Sequence, residues 1–150
     1  MGKHVNRLQL LKDLGARAVV CGFLTNDHID GRSLAQIQAD CQSIWKSVHD
    51  LGMAVIMPTT PPQTDAGNTA PSGANYTGGA SSIWGQANDW IRAQATAGAI
   101  EAVAEFALAV GTSAGLWTSA SLTYDGRHPS DAGAKAGASA FRDAVWQALS

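Results

Sequence analysis

Residues 16–24 read "ARAVVCGFL", a short apolar run that is β-branched at its centre and too short for a helix. A parallel strand covered on both faces has this signature, and the run stops at Thr25-Asn26-Asp27. Upstream, Val5, Leu8, Leu11 and Leu14 fall on one face of a predicted helix over residues 3–14, with Gly15 as its stop. Downstream, Ser33 followed by Gln36 has the form of a capping box. Leu34, Ile37, Cys41, Ile44, Trp45 and Val48 then make a buried stripe that Gly52 closes. "MAVIM", residues 53–57, is a second buried strand, so strand, helix and strand imply a crossover and a parallel sheet.

Residues 58–80, "PTTPPQTDAGNTAPSGANYTGGA", exceed the ~12–15 residues beyond which structureless loops become uncommon. They read either as a mobile surface loop or as a lid or substrate wall. A helix follows from about Ser82, with Ile83, Ala87, Trp90 and Ile91 inward and Gly98 at its end. "AIEAVAEFALAV" is divided: its Ala and Glu favour helix, while its place in the alternation favours a short strand and then a helical turn. The last helix is predicted from Ser130 or Asp131, burying Ala134, Ala138, Phe141, Val145 and Leu149.

A chain of 150 residues with 45% hydrophobic and 15% charged residues fits one globular domain over 1–150. Its net charge of -2 offers neither the basic patch of a nucleic-acid binder nor a membrane-surface helix. No apolar run approaches the ~20 residues that span a bilayer, and the first residues do not read as a secretory signal. Cys21 and Cys41 read as buried thiols. The compartment stays open.

Four histidines occur, and His128 follows Asp125 by three residues in "YDGRHPSDAG", residues 124–133. The carboxylate can accept the imidazole Nδ1 proton, fix the tautomer and stabilise an imidazolium. Nε2 is then free to serve as general base and later as acid. Pro129 keeps His128 extended and suits a helix start. The plainer alternative is that Asp125 and His128 only cap the last helix. Asn26, at the carboxyl end of the first strand, stands where open parallel sheets bind ligands and can donate to an oxyanion. Its plainer alternative is a turn residue bonding its own backbone.

Together, "LTND" after a buried strand and "DGRHPSDAG" before the last helix resemble the SGNH hydrolases, the GDSL-type esterases and lipases. The resemblance implies a three-layer α/β/α flavodoxin-like parallel sheet. It also implies ester hydrolysis through a Ser-His-Asp mechanism without metal or organic cofactor. The substrate it implies is a small acyl ester or an acetylated carbohydrate. On it, Asp125 and His128 match the triad acid and base, and Asn26 the oxyanion-hole Asn. It favours a strand around residues 100–104.

The departures matter equally. The family's first strand, its Gly-Asp-Ser block and its oxyanion Gly should precede residue 15, and no Gly-Asp-Ser occurs anywhere. Leu24 also stands where the family has Gly. The domain therefore reads as N-terminally incomplete, its open sheet edge covered by a missing segment or by a second copy. "GTSAG", residues 111–115, fits the Gly-x-Ser-x-Gly elbow and makes Ser113 a weak candidate nucleophile, but that elbow needs a strand before and a helix after. Ser81 and Ser82 read as a helix start. "NDHIDG" superficially suggests a calcium loop at Asp27, His28 and Asp30, yet Ile37 fills the position that needs a bidentate Glu. His28 and His49 are expected on solvated surfaces. The rival to an esterase is a non-catalytic ligand-binding domain that kept the pocket and lost the nucleophile.

Overall fold

The computed structural model describes residues 3–150. The order is α1 (Lys3–Asp13), β1 (Ala18–Val20), α2 (Leu24–Ile29), α3 (Leu34–His49), β2 (Ala54–Pro58), α4 (Ile83–Thr96), β3 (Ala102–Ala104), α5 (Phe106–Val110) and α6 (Asp131–Leu149). Single 3₁₀ turns lie at Gly79–Ser81 and Ala120–Leu122. The described chain is thus a mixed α/β structure with six α-helices and a small parallel sheet in the order β1-β2-β3. Ala18 pairs with Ala54 and Val20 with Ile56; Ile56 pairs with Ala102 and Pro58 with Ala104. That register brings Cys21, Thr59 and Glu105, the residues after each strand, to one end of the sheet.

Side-chain alternation on β2 splits the core between two faces. Val55 and Met57 pack with Ile37, Cys41, Trp45 and Val48 of α3 and Ile91 of α4. Ile56 packs on the other face with Ala102, Ala104 and Ala144 of α6. All three β2 side chains are fully buried, each contributing about 1.5–3 kcal/mol. The capping box at α3 is complete in both directions, and Ser82 caps α4 through the Gly85 amide. Trp45 stacks on Trp90 at 5.1 Å, tying α3 to α4. Of the two readings of "AIEAVAEFALAV", strand then helical turn is the one found, as β3 and α5.

Three expectations need correction. The run at 16–24 is a strand only from Ala18 to Val20, and it is an edge strand with Val20 44% exposed, not one covered on both faces. Its apolar tail instead turns into α2, where Leu24 becomes a buried helical residue. The inward face of α6 is rotated from the predicted one: Gly133, Gly137 and Ala144 are buried, while Ala134, Ala138 and Val145 face outward. A Cβ at Gly133 would stand 2.1 Å from the Leu122 carbonyl oxygen, and one at Gly137 2.1 Å from the Phe106 ring, so only glycine fits there. On α1, Leu8 packs on the core, but Leu11 and Leu14 are exposed; Val5 lies outside the described side chains.

Residues 58–80 are partly packed: residues 65–67 are exposed, while Pro58, Thr59, Thr60 and Pro61 line a cavity described below. Thr59, Thr60, Gln63, Thr64, Asn75 and Tyr76 are buried, and the Asn75 side-chain amide donates to the Arg32 carbonyl at 2.8 Å. Among the described residues no helix is long and apolar enough to cross a membrane.

Candidate functional site

The Asp125–His128 segment is a closed turn. Its ends pair at Thr123 and Pro129, and the Tyr124 amide donates to the His128 carbonyl at 3.0 Å. The Thr123 hydroxyl donates to the same carbonyl at 2.8 Å and accepts from the Gly126 amide at 2.9 Å. Gly126 has φ +84°, and a Cβ there would meet the Thr64 carbonyl oxygen at 2.3 Å. Its own carbonyl accepts from the Trp117 indole at 3.0 Å and the Thr64 amide at 2.9 Å. The turn is therefore anchored to two other segments at its tightest point.

Asp125 accepts the His128 and Arg127 amides on Oδ1, at 2.8 and 2.9 Å. Its other oxygen lies 2.8 Å from His128 Nδ1. The His128 amide, then the His128 side chain and the Arg127 amide, hold the Asp125 carboxyl well below the usual carboxylate range. It does not cap α6: Ser130 does, through the Gly133 amide at 3.2 Å. With Nδ1 occupied, Nε2 is the free nitrogen of a ring whose side chain is 76% exposed.

Asn26 sits in the short helix α2, not at the tip of a strand, and it is exposed. It lines, with His128, a cavity of about 310 Å³ at the carboxyl ends of the strands. Phe23, Leu24, Pro61, Phe106, Pro129 and Phe141 give that cavity apolar walls; Thr25, Thr59, Thr60 and Arg127 add polar groups. Its far wall is fixed from α4. The Thr60 amide donates to Asn88 Oδ1 at 2.8 Å, and its carbonyl accepts from the Trp84 indole at 2.7 Å and Asn88 Nδ2 at 3.0 Å. A volume near 300 Å³ is at the small end for ligand pockets.

Among the described residues, no serine lines this cavity. Cys21 lines it, but burial pushes its thiol up to about 11, which leaves it protonated and a poor nucleophile. Thr59 is committed elsewhere, its hydroxyl accepting from the Ala107 amide at 2.9 Å. Ser113 is not brought to His128: it lines a separate cavity of about 180 Å³ with Trp84, Asn88 and Arg92. "GTSAG" lies between α5 and a 3₁₀ turn, closed by a Gly111–Trp117 bridge, so it lacks the strand and helix of an elbow. A third depression, about 720 Å³, runs along the outer edge of β1 between Leu8 of α1 and Ile44 of α3. Cys21, Gly22 and Phe23 line both it and the His128 cavity.

The expected solvated setting of His28 is wrong. It is 1% exposed, edge-on to Tyr76 at 5.4 Å, and burial lowers its pKa to about 4. Neither ring nitrogen has a hydrogen-bond partner among the described residues. The residues separate because Leu24 and His28, four apart on α2, both point inward while Asn26 between them points out. His49 does lie near the surface, 3.1 Å from Glu101. Asp27 pairs with Arg32 at 3.5 Å; burial, only partly offset by Arg32, raises its pKa. Among the described residues no cluster of three His, Cys, Asp or Glu side chains could hold a metal. Cys21 and Cys41 are free and buried.

Sequence reasoning passed over Arg127 as a site residue although it stands inside the quoted motif. Phe141 was visible only as a core candidate, because nothing local tells a core ring from a pocket ring, and Phe106 was passed over within "AIEAVAEFALAV". Comparison with protein-family models, with curated proteins and with solved structures found no match for this chain.

Proposed function

We propose that this chain carries the acid–base part of an ester hydrolase of SGNH type. It would act on a small acyl ester or an acetylated carbohydrate without metal or organic cofactor. The observation that carries the reading is the His128 imidazole, held by Asp125 at 2.8 Å and opening on a cavity it shares with Asn26. In this mechanism His128 Nε2 takes the proton of a serine hydroxyl as the oxygen attacks the ester carbon. It returns that proton to the leaving alkoxide, and then repeats both steps with water. Asp125 holds the tautomer, and the Asn26 amide donates to the oxyanion.

The finer assignment, a flavodoxin-like three-layer domain short of its first strand, belongs to the same proposal. The serine would come on a further strand laid along the open edge of β1, whose groove shares the lining residues Cys21, Gly22 and Phe23 with the cavity. A second reading has a specific observation in its favour. Without a serine in the cavity lining, the domain would bind its ligand and not turn it over.

The test is p-nitrophenyl acetate hydrolysis by the purified chain and by a form extended with a strand ending in Gly-Asp-Ser. For the chain alone, turnover near background is expected. A lost triad member leaves ~10³–10⁴-fold over water only with an intact oxyanion hole, and each missing donor costs about 10²–10³-fold. The extended form is expected to turn over and to lose roughly 10⁴-fold with Asp125→Asn. Turnover by the chain alone that vanishes with Ser113→Ala would overturn the assignment. Failure of every extended form, with ligand still bound, would favour the binding domain.

A further inference from the structure

We infer that Arg127 selects the charge of the ligand: the cavity takes a small ester that carries an anionic group, a carboxylate or a phosphonate-like oxyanion, beside its apolar part. The inference rests on the reading of this cavity as the ester site, and it names the substrate class that reading leaves open.

Charge balance carries it. Among the described residues, none that lines the cavity is Asp or Glu, and Arg127 is its one fixed cation. Among the described residues the Arg127 guanidinium has no hydrogen-bond or ion-pair partner; only its backbone amide is engaged, with Asp125. Asp125 does not neutralise it by contact, because both carboxylate oxygens are turned to the turn amides and to His128 Nδ1. The planar guanidinium fork therefore remains open to a ligand, and it fits carboxylate or phosphate oxygens two at a time.

Position strengthens the point. Arg127 directly precedes His128, and the turn that carries both is fixed at Gly126 by the Trp117 indole and the Thr64 amide. The Arg127 backbone is thus held next to the base, with its side chain free to reach a ligand there. Phe106 and Phe141, 5.6 Å apart, supply an apolar wall in the same cavity. A ligand with an apolar stretch and one negative charge satisfies both, whereas a neutral ester leaves the guanidinium uncomplemented.

The experiment is an NMR titration of the purified chain, read at the His128 imidazole and the Arg127 side-chain N–H. The probes are monomethyl succinate, methyl phosphonoacetate and the neutral dimethyl succinate. The two anionic esters are expected to bind about three- to tenfold more tightly than the neutral one, the range for a partly exposed charge pair. Arg127→Gln should remove the difference, Arg127→Lys should keep part of it, and about 500 mM salt should weaken only the anions. A preference for one anion over the other separates carboxylate from phosphonate recognition. Equal binding of anionic and neutral esters would overturn the role of Arg127 while leaving the cavity as the ester site. Shifts confined to other surfaces, or none with any probe, would overturn both readings.

Discussion

The two outer strands of the sheet are finished to different degrees. On β3, Ala102 and Ala104 are fully buried. On β1, Val20 is 44% exposed, and a groove of about 720 Å³ runs beside it. The candidate site straddles this asymmetry. Its Asp125–His128 turn leads into α6, which packs on β2 and β3 and has two glycines pressed against Leu122 and Phe106. Asn26, by contrast, rides on the six-residue α2 that follows the open strand. The lesson is that the Asp125–His128 pair sits on the closed side, and Asn26, the proposed oxyanion donor, sits where the sheet is still open.

The largest expected effect tests the closed side. Gly133→Ala places a methyl 2.1 Å from the backbone oxygen of Leu122, which accepts the Ser130 amide and cannot swing away like a side chain. Overpacking of this kind costs about 1–3 kcal/mol and occasionally more; a loss of about 3 kcal/mol in urea unfolding is expected. A loss below about 1 kcal/mol would show that α6 does not anchor the turn, and the contrast between the two sides would fail.

A second substitution probes how α2 is held. His28 has a folded pKa of about 4 against an ordinary 6.5. Above 6.5 both states are neutral, so the group costs nothing through titration. Between 6.5 and about 4 only the unfolded chain takes the proton, so stability falls as pH falls across that window and levels off below it. The full loss is on the order of 3 kcal/mol. His28→Phe keeps the contact with Tyr76 and removes two unpartnered nitrogens, so urea midpoints between about pH 4 and 7 should lose most of their slope. An unchanged slope would mean that other groups carry the acid sensitivity. Asp125, whose carboxyl is held low, adds stability above its unfolded pKa that is lost only in stronger acid.

How much of this was legible follows from which residues carry a signal. "MAVIM" announced β2 because a strand covered on both faces is apolar at every position, and Ser33 with Gln36 announced α3 by a bond both residues must make. The Asp125–His128 contact followed from the Asp-x-x-His spacing before a helix. The inward face of α6 was missed because glycine carries no apolar signal, although Gly133 and Gly137 are the residues that let the helix approach. "ARAVVCGFL" was apolar for two reasons at once: part of it is an edge strand and part feeds the buried side of α2. His28 is polar by composition and buried by position, which no periodicity separates. Whether a cavity forms at all depends on residues as distant as Cys21, Thr60 and Phe141 meeting, a property of the fold alone.

The smallest change in stability is expected at the open edge. Val20→Lys alters a side chain already 44% exposed, so unfolding free energy should move by no more than about 0.5 kcal/mol. Its effect should appear instead in association. An unpaired edge with an apolar groove beside it is a template for another strand, and a lysine there is the device by which natural sheets discourage such pairing. Sedimentation at rising concentration should show the wild-type chain associating above its 15.5 kDa mass and the Val20→Lys chain remaining nearer to it. In the form extended with a Gly-Asp-Ser strand, the same lysine should lower ester turnover, because it would stand where that strand docks, while leaving the Asp125–His128 contact untouched. Wild-type protein that stays monomeric throughout, together with full turnover in the lysine variant, would show that nothing pairs with β1. The serine would then have to enter the cavity by a route other than the sheet edge.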